Sequence, residues 1–369
     1  MSKKVVIVEP FYTGSHRKWT DGLVRLYSKS GHEVTKLTLP GRHWKWRMFG
    51  AANFLAEEFL KLNIKPDVLI ASDMLDLPVF VGVSRKNLLK AKLVLYFHEN
   101  QLTYPWSPTD VDVELKRDQS YGYINLRSAL CADEVYFNSK YHQGSFLNAL
   151  DKFIRQFPDA SKLEWKEQIH NKAKVLYLGM DLEPIFHLGE KQNTIPVLLW
   201  NHRWEYDKNP ELFYEGIQRL KNDEIDFRLI VCGERTNKYP KIFDQIRKEF
   251  EHELIHFGYA ENLRDYYDLL SQATILPVTC NQDFFGGSVV EAIAAGCIPV
   301  LPDRLAYSEH LPESLKDIYV AANDEDWYQL LKDAILNLRR HQKALHKLTE
   351  HISRYDWNQL GADYLKMLK

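Results

Sequence analysis

Asp283-Phe-Phe-Gly-Gly-Ser-Val-Val-Glu-Ala-Ile-Ala-Ala-Gly296 is a glycine-rich turn that runs into a helix of small apolar residues. It lies between two short apolar runs, Thr274–Leu276 and Ile298–Leu301. Strand, turn, helix and strand in that order form one crossover unit, and such units give parallel sheets with helices on both faces. The same alternation extends outward. Val197–Trp200, Phe227–Cys232 and Leu254–Phe257 read as strands, with helices near Pro210–Leu220, Leu263–Ser271 and Ser288–Ala295. An earlier series starts at Val5–Val8 and continues through Glu33–Leu39, Val68–Ala71, Leu93–Phe97, Glu134–Phe137 and Lys174–Tyr177. Helical periodicity fills its gaps, for example at Trp19–Tyr27 and Asn53–Leu62. A polar stretch, Asp181–Thr194 with Pro184 and Gly189, separates the two series. The reading is two tandem α/β domains, 1–185 and 192–355, and a last amphipathic helix, 356–369, predicted to pack back on the first. Ligands of such sheets sit at the C-terminal strand ends, so the cleft between the domains is the expected site.

The 369 residues carry 48 Lys+Arg against 50 Asp+Glu, a net charge of −2, which excludes binding nucleic acid through bulk basicity. Cys131, Cys232, Cys280 and Cys297 are widely spaced, with no Cys-x-x-Cys, so neither a disulfide framework nor a zinc knuckle is indicated. The apolar run Val5–Val8 is too short for a signal peptide and no stretch approaches a membrane span. The expectation is a cytoplasmic protein without stable membrane association.

Three motifs carry chemistry. Glu9-Pro-Phe-Tyr-Thr-Gly14-Ser-His16 ends the first strand and opens the first helix, where Gly14 lets backbone approach a ligand and the helix start offers free N–H groups. An ordinary strand–helix turn reads the same way. Asn201-His-Arg203-Trp-Glu-Tyr-Asp-Lys208-Asn-Pro210 places two cations in the loop after the first strand of the second domain, a fit to a diphosphate that this position favours over a solvated surface pair. In the third motif the Gly287, Ser288 and Val289 amides can face an anion, while Asp283 and Glu291 can accept from sugar hydroxyls. Helix capping by Ser288 explains the small-residue helix but neither Asp283 nor Gly286-Gly287.

Arg203-x-x-x-x-Lys208, followed by an acidic residue, Phe285-Gly286 and Glu291, resembles the retaining GT-B glycosyltransferases of the glycogen-synthase-like family. Gly31-His-Glu-Val34 and Pro66-Asp-Val68 look like that family's first domain. Further blocks resemble the glycosyltransferase-like domain-containing protein 1 group of tRNA-queuosine mannosyltransferases. They are Glu9–His16, Leu39-Pro-Gly-Arg-His-Trp-Lys-Trp-Arg47, Tyr96-Phe-His-Glu-Asn-Gln-Leu102, Tyr121-Gly-Tyr123, Phe137-Asn-Ser139 and His202-Arg-Trp-Glu205. The resemblance implies two Rossmann-like domains facing a central cleft, a GDP-mannose donor, and the cyclopentenediol of queuosine at the wobble position of tRNA-Asp as acceptor. It implies that His98 faces the donor sugar, that Arg203, Lys208 and the Gly287–Val289 amides hold the diphosphate, that Glu291 takes the ribose and that Asp283 takes the mannose. Asp283 stands where the family has Glu, and its shorter side chain alters that contact.

Two cations on the diphosphate imply that no metal and no cofactor is required, and Asp110-Val-Asp112 among Ser107, Pro108 and Thr109 reads as a solvated loop. Arg42, Trp44, Trp46 and Arg47 interleave cations with indoles, a composition for phosphate contacts and base stacking, although one indole could be core. Glu99 and Asn100, beside His98, are further candidates for the acceptor. The runs Lys152, Arg155, Lys162, Lys166, Lys172, Lys174 and Arg339, Arg340, His341, Lys343, Lys347 read as solvated faces. Other readings stay open at this level: a retaining transferase acting on a lipid, glycan or small molecule, or a nucleotide-sugar-binding protein without catalysis. Oligomeric state is not legible.

Overall fold

A computed structural model describes the chain except for residues 1, 108, 109, 116, 160–163, 190, 192, 193 and 236–238. Pro108, Thr109, Lys162 and the expected second-domain boundary at 192 lie outside the described residues. The chain divides into two compact units, Met1–Met180 with Trp357–Lys369, and Asp181–Asp356.

The first unit is a six-stranded parallel sheet of β1 (Lys4–Tyr12), β2 (Glu33–Pro40), β3 (Val68–Ser72), β4 (Lys92–Phe97), β5 (Glu134–Phe137) and β6 (Ala173–Val175) in the order β2-β1-β3-β4-β5-β6. Val5–Val8 and Val68–Ala71 are buried to the last residue, as strands covered by helices on both faces must be. The helix Gly14–Lys29 buries His16, Trp19, Thr20, Leu23 and Tyr27, one stripe at helical spacing. The closing helix, Trp357–Lys366, docks on that stripe. Its Tyr364 hydroxyl accepts from the Trp19 indole and the Gly179 amide, each at 3.1 Å, and its Tyr364 carbonyl accepts from Tyr27 at 3.0 Å. Trp357 lies against Gly22 and Gly179, where any added Cβ would meet its ring at under 3 Å.

The second unit has β7 (Val197–Trp200), β8 (Arg228–Cys232), β9 (Leu254–Gly258), β10 (Ile275–Pro277), β11 (Ile298–Pro302) and β12 (Val320–Ala321), all parallel, in the order β12-β11-β10-β7-β8-β9. Its core includes aromatic pairs: Trp200 packs on Phe213 at 5.0 Å, and Trp204 stacks on Phe243 at 4.4 Å between ring centres. Among the described residues no helix is long and apolar enough to cross a membrane.

Candidate functional site

In the second unit β7 and β10 are neighbours, but the chain leaves β7 towards β8 and leaves β10 towards β11. Strand order reverses there, which opens a crevice beyond the strand ends. The loops after β7 and β10 are the two motifs singled out in the sequence. Lys208, in a short 3₁₀ turn (Tyr206–Lys208), is only 5% exposed. Its ammonium lies 3.1 Å from both Asp283 Oδ1 and Asp207 Oδ2 and donates to the Gln282 carbonyl. Asp283 Oδ2 accepts from the Tyr307 hydroxyl at 2.6 Å. Burial would raise the Asp283 carboxyl, but Lys208, His202 and the Tyr307 hydrogen bond hold it below the usual carboxylate range. Both Asp283 oxygens have a partner within the protein, and one of those partners is Lys208.

Gly286 has φ +82°, and a Cβ there would lie 3.0 Å from the Tyr307 ring, so the turn is held tight over that ring by glycine. The helix Gly287–Ala294 follows. Of the three amides expected to face an anion, that of Val289 already donates to Gly286 O at 3.0 Å, so the helix start offers Gly287 and Ser288. Asn201 Nδ2 donates to Ser288 O at 2.9 Å and to the Tyr266 hydroxyl at 3.2 Å, and Tyr266 donates to Glu291 at 2.9 Å. Ser288 Oγ lies 3.1 Å from His202 Nδ1. These contacts lock the β7 loop to the helix start, with His202 Nε2 and Asn201 Oδ1 buried and without a partner among the described residues. Phe285 is buried against His310 and Tyr355 and holds the turn from beneath. Arg203, half exposed, pairs with Glu205 at 3.2 Å. The arrangement presents one buried cation, one surface cation and helix-start amides at a single crevice, a receptor for a dianion with hydroxyl groups beside it.

The first unit has its own cluster, at the ends of β1, β3 and β4. Gly14 opens the helix at φ +49° with space around its α-carbon. His98 is buried, with its amide donating to Asp73 Oδ1 at 2.8 Å and its carbonyl accepting from Asn138 at 2.8 Å. Its Nε2 is buried without a partner among the described residues. Burial, then His16 and His142, push its pKa well below the ordinary value, so the ring is neutral. The Asn100 side-chain oxygen accepts from the Leu102 and Thr103 amides, both at 3.1 Å, so it shapes the turn, and its amide nitrogen is unpartnered. Glu99, half-buried, accepts from Gln101 at 3.0 Å.

The Arg42–Arg47 stretch divides. The helix Trp44–Leu62 turns about 100° per residue, so indoles two apart face nearly opposite ways. Trp44 packs on Tyr121 and Trp106, at 5.0 and 5.9 Å, whereas Trp46 is 74% exposed. Arg42 is exposed and Arg47 donates to Pro40 O. Asp110 and Asp112 do not form a solvated loop. Both pair with Lys45, at 2.5 and 2.6 Å, Asp110 caps the short helix Val111–Glu114, and Asp112 accepts from Tyr121. Their charge is spent on a lysine of the neighbouring helix. In the basic runs Lys166 and Lys174 pair with Asp151 and Glu134, and Lys172 donates to Leu130 and Ala132 carbonyls. His341 is buried against Asp333 and Tyr319 instead of lying on a solvated face.

Among the described residues two side-chain groups have the composition of metal ligands: Glu9, His16 and His98, and His202, Cys280 and Asp283. Each group is already engaged within the protein. Glu9 and His16 already bond each other at 3.0 Å. Burial pushes the Cys280 thiol up to about 12, so it stays protonated, and Lys208 occupies Asp283.

His202 and His310 are both pushed down to about 4, chiefly by burial. Unfolded histidine titrates near 6.5, so between pH 6.5 and 4 the unfolded chain binds protons that the folded second unit refuses. Stability is expected to fall as pH drops through that window. The urea midpoint, measured at pH 7 and pH 5, should decrease, and His202→Asn should flatten the decrease; a midpoint independent of pH in the native protein would disprove it.

Sequence reasoning missed Glu9, His16, Asp73, Asn201, His202, Tyr266, Tyr307 and His310 as parts of these clusters. Glu9, His16 and His202 lie inside the motif blocks, and their position directly after a strand was the available signal. Tyr266 and Tyr307 sit in no motif, and no local signal marks them.

The profile described as tRNA-queuosine alpha-mannosyltransferase N-terminal matches residues 4–180, and the one described as glycosyl transferases group 1 matches residues 185–352. The tRNA-queuosine alpha-mannosyltransferase of Drosophila melanogaster is 33% identical over 328 residues, covering 86% of this chain and 84% of that protein. Among solved structures, Anabaena HepE in complex with UDP is similar at 14% identity and TM-score 0.69, over 99% of each chain. Sucrose-phosphate synthase from Thermosynechococcus elongatus is similar at 11% identity and TM-score 0.73, over 99% of this chain and 98% of that one. These structures establish the fold as GT-B. Matched along both units by sequence and along its whole length by fold, the chain is a glycosyltransferase and belongs to the tRNA-queuosine alpha-mannosyltransferase family.

Proposed function

We propose that this protein transfers mannose from GDP-mannose to the cyclopentenediol of queuosine at the wobble position of tRNA-Asp, with retention of anomeric configuration, in the cytoplasm. The observation that carries the reading is the family match along both units, since it covers the half that would select an acceptor as well as the half that would hold a donor. In this scheme the anomeric carbon's bond to the diphosphate oxygen breaks and a bond to an acceptor hydroxyl oxygen forms. The hydroxyl proton passes to the leaving phosphate oxygen, so no paired general acid and base is needed. Lys208 and Arg203 would neutralise the charge that develops on the diphosphate, joined by the Gly287 and Ser288 amides. With that charge met by side chains, no metal is required. Glu291 would take the ribose hydroxyls, and His98 would hydrogen-bond the sugar as a neutral ring. Gly14 would let the first helix start approach the donor.

The test is direct. Purified protein is incubated with GDP-mannose and queuosine-containing tRNA, and the digested nucleosides are weighed. A hexose gain on queuosine is expected; labelling only with UDP-sugars, or only on another acceptor, would reject the donor or the acceptor respectively. On the RNA side, Arg42, Arg47 and Trp46 are the surface groups assigned to tRNA, with Glu99 and Asn100 near the acceptor. Trp46→Ala should raise the KM for tRNA by roughly 10-fold, as one stacked base is worth about 1–3 kcal/mol, while donor hydrolysis is spared. Trp44→Ala should instead lower the melting temperature through lost packing on Tyr121 and Trp106. Equal effects of the two changes would refute the division.

A further inference from the structure

A buried polar group in the first unit lies one step removed from His98. Glu9, at the end of the central strand β1, has no exposed surface. Its Oε1 accepts from the Phe11 amide at 2.8 Å and from Ser72 Oγ at 3.0 Å, and its Oε2 lies 3.0 Å from His16 Nδ1. The His16 ring, on the first turn of the helix Gly14–Lys29, lies 4.1 Å from the His98 ring at an interplanar angle of 32°. Trp19 from the same helix meets His98 edge-on at 4.8 Å, and Tyr96 meets it at 5.0 Å. Two imidazoles this close cannot both be imidazolium without strong repulsion, and among the described residues it is the His16 ring that bonds a carboxylate.

We propose that Glu9 and His16 are positioning residues for His98: the carboxylate fixes the His16 ring and its proton, and that ring both orients His98 and keeps it uncharged. The charged and titratable groups facing the pair come from every neighbouring element. They are Glu9 from β1, Asp73 after β3, Glu99 after β4, Tyr96 within β4, and His142 from the helix Lys140–Ile154. Burial works against a charge on His16, yet Glu9, with Asp73 and Glu99 further off, raises it to about 9. Burial raises the Asp73 carboxyl, with His16 opposing, and Glu9 is the carboxylate in direct contact with the His16 ring. The chemical result is a fixed cation behind a neutral hydrogen-bonding ring, suited to a sugar hydroxyl and unsuited to gaining a proton of its own.

The role for His98 in transfer rests on the function proposed above; the protonation states do not. In protein labelled with ¹⁵N at histidine, His16 should remain an imidazolium from pH 6 to 8 while His98 stays neutral. A neutral His16 in that range overturns the proposal, with no variant needed. In folded His16→Gln the His98 midpoint should rise by roughly one unit, as it loses a like-charged neighbour. Glu9→Gln, which releases the His16 proton, should move it the same way. The acid limb of the kcat/KM profile for mannose transfer should follow the His98 midpoint upward. An unmoved His98 midpoint in either folded variant refutes the buttress. A moved midpoint with an unmoved acid limb overturns the link to transfer and leaves the donor and acceptor assignment untouched.

Discussion

Lys208→Ala is expected to lower mannose transfer by at least about 10²–10³-fold, the effect of removing one preorganised charge from a site where charge develops. An ammonium placed between Asp207 and Asp283, and bonded to the Gln282 carbonyl, has been stripped of most of its water. Such a cation is costly to bury and, once buried, is strongly coupled to any anion that enters the crevice. Alanine also leaves two carboxylates near one another without their counter-ion, which costs roughly 3–5 kcal/mol in comparable buried pairs. Stability and catalysis therefore have to be separated. Lys208→Met keeps the aliphatic stem, and Asp207→Asn in the same chain relieves the unbalanced charge. Transfer and GDP affinity by calorimetry, measured on variants whose circular dichroism matches the native protein, give the answer. A folded Lys208→Met enzyme that transfers at the native rate would remove Lys208 from the chemistry and leave it as a structural ion.

The Lys208 contacts also mark the limit of what could be read in advance. Both loops were legible, because a strand followed by Arg203 and Lys208, or by Gly286-Gly287, is a local pattern with a local cause. That Asp283 pairs with Lys208 was not, since those residues are 75 positions apart and meet only because β7 and β10 are sheet neighbours. The same holds for Tyr307 and Tyr266, two among 20 tyrosines, whose hydroxyls find Asp283 and Glu291 through topology. Strand identity was legible wherever a run is apolar and β-branched, as at Val5–Val8. It slipped at β6, which is Ala173–Val175 instead of Lys174–Tyr177, and the two-residue β12 carries too few side chains to leave a pattern. The opposite fates of Trp44 and Trp46 follow from helix geometry, but only once the helix is known to begin at Trp44 instead of near Asn53.

Gly233→Ala is expected to damage the same crevice without touching any charged group. Gly233 directly follows β8, and its amide donates to Gly258 O at 3.1 Å, as the next strand's end requires. A Cβ on it would stand 2.0 Å from the His202 carbonyl oxygen and 3.0 Å from Trp204 Cδ1. The nearest obstacle is backbone, so no rotamer change relieves it. That carbonyl is also held from the other side by the Trp200 indole, and the Trp204 amide donates to Glu234 O at 3.0 Å, so the two loops are laced together. The β7 loop must move by an ångström or more, at a cost of about 1–3 kcal/mol for an overpacked site. His202, Arg203 and Lys208 move with it, and a misplacement of that size in a positioning element can cost about 10²-fold in rate. Transfer should thus fall further than the loss of stability alone explains. Gly144→Ala is the control: it lies in the helix Lys140–Ile154 with nothing within 4 Å of the place a methyl would take, and should leave transfer unchanged while adding about 0.5–1 kcal/mol of stability. If folded Gly233→Ala protein matched Gly144→Ala in transfer, the β7 loop would be tolerant of displacement, and a rigid cation site there could not be the source of the rate.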